Sequence, residues 1–210
     1  KGLSYDQVLN QREVVTSRLR NKNFGMLDNN EHVDVYTGHG EFISNKEIAV
    51  TAGEDKIILS GEIIIINTGA VAIKPNIDGI STATGFYNST EIQQLSPQPS
   101  TLGVIGAGPI GLEFASLYAK LGTKVTVFNI ESGILKREEP IVQELANEYL
   151  TEQGITILND VTLNSVSNDG NKPVITANGQ NYTFDAVLYA TPASQTSLIS
   201  SHVAVGRNNV

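Results

Sequence analysis

Apolar and polar positions divide the chain into a helical start, a series of short strands, and then strands alternating with helices. From Ser4 to about Lys22, Val8, Leu9, Val15 and Leu19 recur at helical spacing. Ser4 is placed to cap the first turn, so the pattern predicts a packing helix. His32–Tyr36 alternates as a short strand and a turn over Thr37-Gly-His-Gly-Glu-Phe42 follows it. Glu47–Thr51 and Lys56–Leu59 predict a hairpin around Ala52-Gly-Glu-Asp55. Glu62–Asn67 is a continuous β-branched run, which predicts a parallel strand buried on both faces.

Gln94–Ser100 is rich in Pro, Ser and Gln and reads as a linker. Beyond it, a strand at 101–105, a helix at 108–121 and a strand at 124–128 make a βαβ unit. A second helix is predicted from Glu138 to about Gln153, with Pro140 near its start and Gly154 as its stop. Ile155–Leu158 follows as a strand. Three β segments come next, Val161–Val166, Pro173–Ala177 and Asn181–Phe184. Turns at Asn168-Asp-Gly170 and Asn178-Gly179 join them into a meander. Val187–Ala190 is the closing apolar strand. The expected fold is α/β: a Rossmann-like, doubly wound nucleotide-binding domain with an inserted β-meander.

The chemistry sits in the turn of that βαβ unit, a G-x-G-x-x-G formed by Gly106, Gly108 and Gly111. Gly106 allows the tight turn out of the strand. Gly108 lets a pyrophosphate approach the backbone, and Gly111 lets the helix pack closely on the strand. The helix N-terminus offers free N–H groups and a partial positive charge to phosphates. A plain tight turn is the alternative, and a strand before with a helix and second strand after is the context a dinucleotide site requires. Cofactor choice rests on the end of the second strand, where an acid would bond the adenosine ribose hydroxyls and reject a 2′-phosphate. Asn129 stands there, followed by Ile130 and Glu131. Asn can bond a hydroxyl but carries no charge. No Arg lies at 129–131 to clamp a phosphate, although Lys136 and Arg137 lie a few residues on. The reading favours NAD(H) over NADP(H). A third reading has the loop bind FAD itself, and Asn129 and the motif's position deep in the chain weigh against it.

Composition narrows the classes. A net charge of −8 with no basic cluster gives no nucleic-acid footprint, and no apolar run reaches the length of a membrane span. The absence of cysteine excludes disulfides, thiolate metal sites and a cysteine redox centre within this chain. His32, His39 and His202 are scattered, and no metal site is expected. No secretory signal is visible, and a cytoplasmic setting is expected. The sequence begins at Lys1 and its single methionine is Met26, which reads as a processed or excised piece.

Three motifs in order resemble the class I pyridine nucleotide–disulfide oxidoreductases, FAD enzymes such as dihydrolipoamide dehydrogenase, glutathione reductase and mercuric reductase. Ile65-Ile-Asn-Thr-Gly-Ala70, running on to Pro75-Asn-Ile-Asp-Gly79, is similar to a strand end of their FAD domain. Gly103–Ala115 matches their nicotinamide motif. Phe184-Asp-Ala-Val-Leu-Tyr-Ala190 matches the strand closing the nicotinamide domain. Arg20-Asn-Lys-Asn-Phe24 and Ile66-Asn-Thr-Gly-Ala70 are most similar to a bacterial branch linked to the hypochlorous-acid response.

The resemblance implies a partial FAD-binding-type domain at 1–96, a nicotinamide domain at 97–191, and a tail at 192–210 returning toward the former. It lacks the family's first FAD glycine loop, its C-x4-C pair and its dimerisation domain. The chain would therefore need those regions of the same enzyme, whose intact members are homodimers. Thr68 and Gly69 are implied to approach FAD, or else form an ordinary strand exit. Gly38-His39-Gly40 resembles a segment near the adenine, or is a simple turn. Glu113 is implied to lie beside the flavin and nicotinamide; a solvent-exposed helix glutamate is the alternative. Pro109 replaces the Tyr lid of some relatives. The cofactor-binding set is then Gly106, Gly108, Pro109, Ile110, Gly111, Asn129, Ile130, Thr68, Gly69 and Ala190. Ala204-Val-Gly-Arg-Asn-Asn209 resembles either of two family turns. As a function, the resemblance implies orientation of nicotinamide for hydride transfer to flavin. A non-catalytic NAD(H)-binding sensor or subunit is the rival.

Overall fold

The computed structural model describes residues 4–190, 193–195 and 203–206, the last two segments by their backbone. The order begins with α1 (Tyr5–Asp28), β1 (Val33–Tyr36), β2 (His39–Ser44), β3 (Glu47–Ala52), β4 (Asp55–Ser60), β5 (Ala70–Ala72) and β6 (Phe86–Tyr87). It continues through β7 (Thr101–Ile105), α2 (Pro109–Lys120), β8 (Lys124–Phe128), α3 (Pro140–Glu152) and β9 (Thr156–Leu158). The meander strands are β10 (Leu163–Asp169), β11 (Lys172–Ala177) and β12 (Gln180–Thr183), followed by β13 (Ala186–Tyr189), β14 (Ala193–Gln195) and β15 (Val203–Gly206). Of the described residues, 4–9 and 72–190 form one compact unit, and 10–71, 193–195 and 203–206 belong to another.

The first unit is built on a five-stranded sheet in the order β6-β13-β7-β8-β9, with every pairing parallel. Parallel pairing requires crossovers, and α2 and α3 supply them from β7 to β8 and from β8 to β9. Side chains alternate between the two faces. In β13, Ala186 and Leu188 pack with Leu102, Val104, Ala115 and Val125 in one core. Val187 and Tyr189 pack with Ile105, Phe128 and Ile175 in the other. The meander β10-β11-β12 supplies residues to this second core. Phe128 meets Phe184 and Tyr182 edge-on there, at centroid distances of 5.9 and 5.1 Å. The meander closes on β7 because Gly103 has no Cβ: one built there would stand 2.9 Å from the Phe184 ring.

Local signals explain the element ends. The Ser4 Oγ accepts from the Gln7 N–H at 3.3 Å, and the Gln7 Oε1 accepts from the Ser4 N–H at 2.9 Å, a reciprocal cap. The helix runs on to Asp28, past the expected end near Lys22. Asn178 and Gly179 both take positive φ, 50° and 75°, as the two-residue turn from Ala177 to Gln180 demands. Pro140 opens α3 and Gly154, at φ +79°, follows its end.

The second unit holds the antiparallel sheet β2-β3-β4, with β1 pairing β15 and β5 pairing β14. Two expectations fail here. Thr37–Phe42 is not all turn, because β2 begins at His39 and pairs with β3. Gly38 is required by packing, since a Cβ there would stand 2.6 Å from the Thr51 carbonyl oxygen. Glu62–Asn67 is not a buried strand: Ile63 and Ile65 are 84% and 85% exposed, and no strand is present between Ser60 and Ala70. A parallel strand is buried only when ladders and covering layers flank it, and the described residues supply neither for this run. The unit with the glycine turn also takes in 72–96, upstream of the expected linker, because Phe86–Tyr87 pairs with β13. In the tail, Gly206 pairs with Val33; Arg207 lies outside the described residues.

Candidate dinucleotide-binding site

β7 ends at Ile105 and the chain turns at Gly106, whose φ of +109° is open to glycine and few others. Its N–H donates to the Phe128 carbonyl at 2.9 Å, which ties the turn to the end of β8. A Cβ on Gly106 would come within 2.9 Å of the Ala190 carbonyl oxygen. A Cβ on Gly111 would overlap the Gly106 carbonyl oxygen and press on the Ala190 Cβ at 3.3 Å. The Ala190 N–H donates to the Ile105 carbonyl at 2.9 Å, so the end of β13 lies beside the glycine turn.

Gly108 differs from these two. Its backbone is extended, φ −81° and ψ 177°, and no atom lies within 4 Å of a Cβ built on it. Its value is open space beside the start of α2. Gly108 occupies the cap position with no side-chain bond to the first turn, and Pro109 follows as the first helical residue. Proline has no N–H to satisfy, while the N–H groups of Ile110 and Gly111 fall in the turn where a helix has no acceptors of its own. The Leu135 N–H reaches the Ala107 carbonyl at 3.1 Å, holding the 129–135 loop against the same turn.

Asn129 is 4% exposed and faces that loop. Its Nδ2 donates to the Glu131 carbonyl at 3.0 Å, the Gly133 carbonyl at 2.9 Å and the Asn159 Oδ1 at 2.8 Å. Its Oδ1 accepts from the Glu131 N–H at 3.3 Å. Two main-chain carbonyls on one side and an N–H on the other fix which way the amide points. Ile130, 64% exposed, and Glu131 are the outward residues of this strand end.

Glu113 is exposed and makes no side-chain hydrogen bond or ion pair among the described residues. It borders an apolar groove of about 650 Å³ between α2 and α3, with Leu112, Leu117, Val142 and Leu150 among its walls. Tyr189, buried next to Ala190, keeps its phenol proton: burial pushes its pKa up, and the Glu91 charge adds to that. No cluster of metal-ligating side chains occurs among the described residues.

Gly106, Gly108, Pro109, Ile110, Gly111, Asn129, Ile130 and Ala190 therefore gather at one edge of one sheet. Thr68 and Gly69 belong to the other unit, where Gly69 is exposed at φ +76°. Asn159 is the participant that sequence reasoning missed. Its one signal is the Asn-Asp pair after Leu158, where Asp160 takes φ +54°.

A family profile described as pyridine nucleotide-disulphide oxidoreductase matches residues 3–209. The chain belongs to that family. A probable pyridine nucleotide-disulfide oxidoreductase, RclA of Escherichia coli, is 35% identical over 185 residues, covering 88% of this chain and 42% of that protein. Dihydrolipoyl dehydrogenase of Chlamydia pneumoniae is 31% identical over 188 residues, covering 90% of this chain and 40% of that one. The solved structure of the HOCl-induced flavoprotein disulfide reductase RclA from E. coli superposes with a TM-score of 0.85 at 33% identity. It covers 93% of this chain and 44% of that one. This chain thus spans about two-fifths of the length of the curated relatives it matches. The match to a flavoprotein of the hypochlorous-acid response agrees with the resemblance carried by Arg20–Phe24 and Ile66–Ala70. Members of this family are FAD-dependent pyridine nucleotide-disulphide oxidoreductases, so FAD and a pyridine nucleotide are the cofactors its fold implies. No helix among the described residues is long and apolar enough to cross a membrane.

Proposed function

We propose that this chain is the NAD(P)H-binding portion of an FAD-dependent pyridine nucleotide-disulphide-type oxidoreductase, and that it orients the nicotinamide for hydride transfer to flavin. The observation that carries this reading is the glycine turn. Gly106 and Gly111 are needed by the backbone itself, while Gly108 leaves open space beside the first turn of α2, where the N–H groups of a helix have no acceptors within it. A pyrophosphate fits that cradle: it needs close backbone approach, N–H donors and the positive end of a helix dipole. The bound cofactors supply the hydride chemistry, and the chain's residues hold and orient them.

In this reading, 97–191 is the nicotinamide-binding region, 1–96 part of an FAD-binding-type region, and 192–210 a tail returning to it. Thr68 and Gly69 lie near FAD in the intact enzyme, where Glu113 stands beside the flavin and nicotinamide. The remaining FAD-binding and dimerisation regions belong to the same enzyme, a cytoplasmic homodimer on the family resemblance alone. NAD(H) is preferred over NADP(H), supported by the lack of any Arg at 129–131. Titration of the chain with NADH and with NADPH, following nicotinamide fluorescence, tests the reading. Saturable NADH binding, tighter than NADPH, is expected. Failure to bind either overturns it.

A further inference from the structure

We propose that Glu131, and not Asn129, is the residue that discriminates between NADH and NADPH, and that Asn129 is the positioning residue holding the Glu131 main chain in place. This deepens the dinucleotide reading above and rests on it. In glycine turns of this type, the adenosine ribose is met by an acid about 20 residues beyond the turn, at the end of the second strand. By position that residue is Asn129. Its geometry disqualifies it as a ligand. The side chain is buried, and both amide hydrogens are shared among the Glu131 carbonyl, the Gly133 carbonyl and Asn159. The remaining oxygen already accepts from the Glu131 N–H. Turning the amide outward to a ribose would take the Asn129 donor away from the Gly133 carbonyl and the Asn159 Oδ1, and would leave the Glu131 carbonyl with the Asp160 N–H alone.

What Asn129 does instead is grip residue 131 from both sides. The Glu131 N–H is bonded to the Asn129 Oδ1, and its carbonyl accepts from the Asn129 Nδ2 at 3.0 Å and from the Asp160 N–H at 3.0 Å. The carboxylate of Glu131 is left exposed, with no hydrogen bond or ion pair among the described residues. A carboxylate on this anchored loop can accept from ribose hydroxyls and repel a 2′-phosphate. The competing charge is Lys136, which folds back over Gly133 with its Nζ 3.8 Å from where a Cβ there would stand.

Fluorescence titrations of the full chain with NADH and NADPH separate these roles. Glu131→Gln is expected to reduce the NADH-over-NADPH preference about tenfold or more, while Glu144→Gln on the exposed side of α3 leaves it unchanged. Asn129→Asp places the usual acid at the usual position. It is expected to weaken both cofactors together, because a carboxylate would face three oxygens. Circular dichroism checks that each variant is folded. An unchanged preference in Glu131→Gln overturns the proposal while the dinucleotide reading stands. So does tighter NADH binding in Asn129→Asp. If the parent chain binds neither cofactor, both readings fall together.

Discussion

The phenol oxygens of Tyr5 and Tyr118 stand 3.1 Å apart although 113 residues separate them in the chain. Tyr5 also donates to the Leu95 carbonyl at 2.7 Å, and Tyr118 to the Ile92 carbonyl at 3.0 Å. With one proton on each hydroxyl and three contacts to fill, the protons are shared, and the pair ties the start of α1 and the last turn of α2 to the 3-10 turn at Ile92–Gln94 and the Leu95 that follows it. Burial raises the Tyr118 pKa well above the ordinary phenol value, and the Tyr5 hydroxyl pushes it the same way. A raised folded-state pKa contributes stability that is fully present below the unfolded phenol pKa, about 10, and lost as pH rises above it. Tyr118→Phe is expected to lose about 1 kcal/mol at neutral pH. The Ile92 carbonyl keeps its bond from the Leu95 N–H, which limits the loss. The variant's stability should also fall less steeply than the parent's above about pH 10. Urea midpoints measured across pH check both statements.

At the opposite end of the pH scale, Asp185 joins the starts of β13 and β7. Its Oδ2 accepts from the Ser100 N–H, the Thr101 N–H and the Thr101 hydroxyl at 3.1, 3.0 and 3.1 Å. Its Oδ1 lies 3.0 Å from the Lys172 Nζ. The Lys172 hydrogen bond, helped by those from Thr101, holds the carboxyl below the usual carboxylate range against a smaller opposing effect of burial. A depressed folded-state pKa contributes stability present above the unfolded value, near 4, and lost as pH falls through the folded one. Asp185→Asn is expected to lose about 1–2 kcal/mol at neutral pH, the carboxylate being partly exposed. It should also flatten the acid limb of the stability profile. A parent-like acid limb in the variant would mean that another carboxylate controls it.

Legibility in the sequence followed the locality of the cause. Thr101–Ile105 and Lys124–Phe128 form strands over the expected residues, because an apolar run, a glycine turn and a helix start all lie within one window. The second meander turn was legible for the same reason, since Asn178-Gly179 carries its own conformational demand; the first falls at 170–171, past the expected Asn168-Asp-Gly170, because Asn168 and Asp169 pair with Pro173 and Lys172. Phe86–Tyr87 was not legible: two residues give no pattern, and only pairing with β13, a hundred positions on, makes them a strand. The glycine turn could be read, but the inward aim of Asn129 could not. It depends on Asn159, which is 30 residues away.

Glu62–Asn67 illustrates the limit of a β-branched run as a strand signal, and it yields a prediction about this chain. Ile65 is 85% exposed, so Ile65→Thr is expected to shift stability by no more than about 0.5 kcal/mol. A buried strand position would lose about 2 kcal/mol or more on the same change. Urea unfolding distinguishes the two, and the larger loss would mean that the run is covered in solution.

The three glycines of the turn are not equivalent, and alanine at each separates fold from ligand binding. At Gly111 a Cβ overlaps the Gly106 carbonyl oxygen, so Gly111→Ala must push α2 away from β7. A cost of about 1–3 kcal/mol is expected from that overpacking. At Gly106 the positive φ adds backbone strain to a contact with Ala190. At Gly108 the backbone is one that any residue adopts and the space is open, so Gly108→Ala should melt like the parent. On the proposed reading its methyl group would nevertheless stand where a pyrophosphate approaches the main chain. NADH affinity is therefore expected to fall about tenfold or more while the thermal midpoint stays put. Thermal melts paired with NADH titrations check this. Parent-like NADH binding by a well-folded Gly108→Ala would show that no phosphate lies at this turn, and the dinucleotide assignment would fall with it.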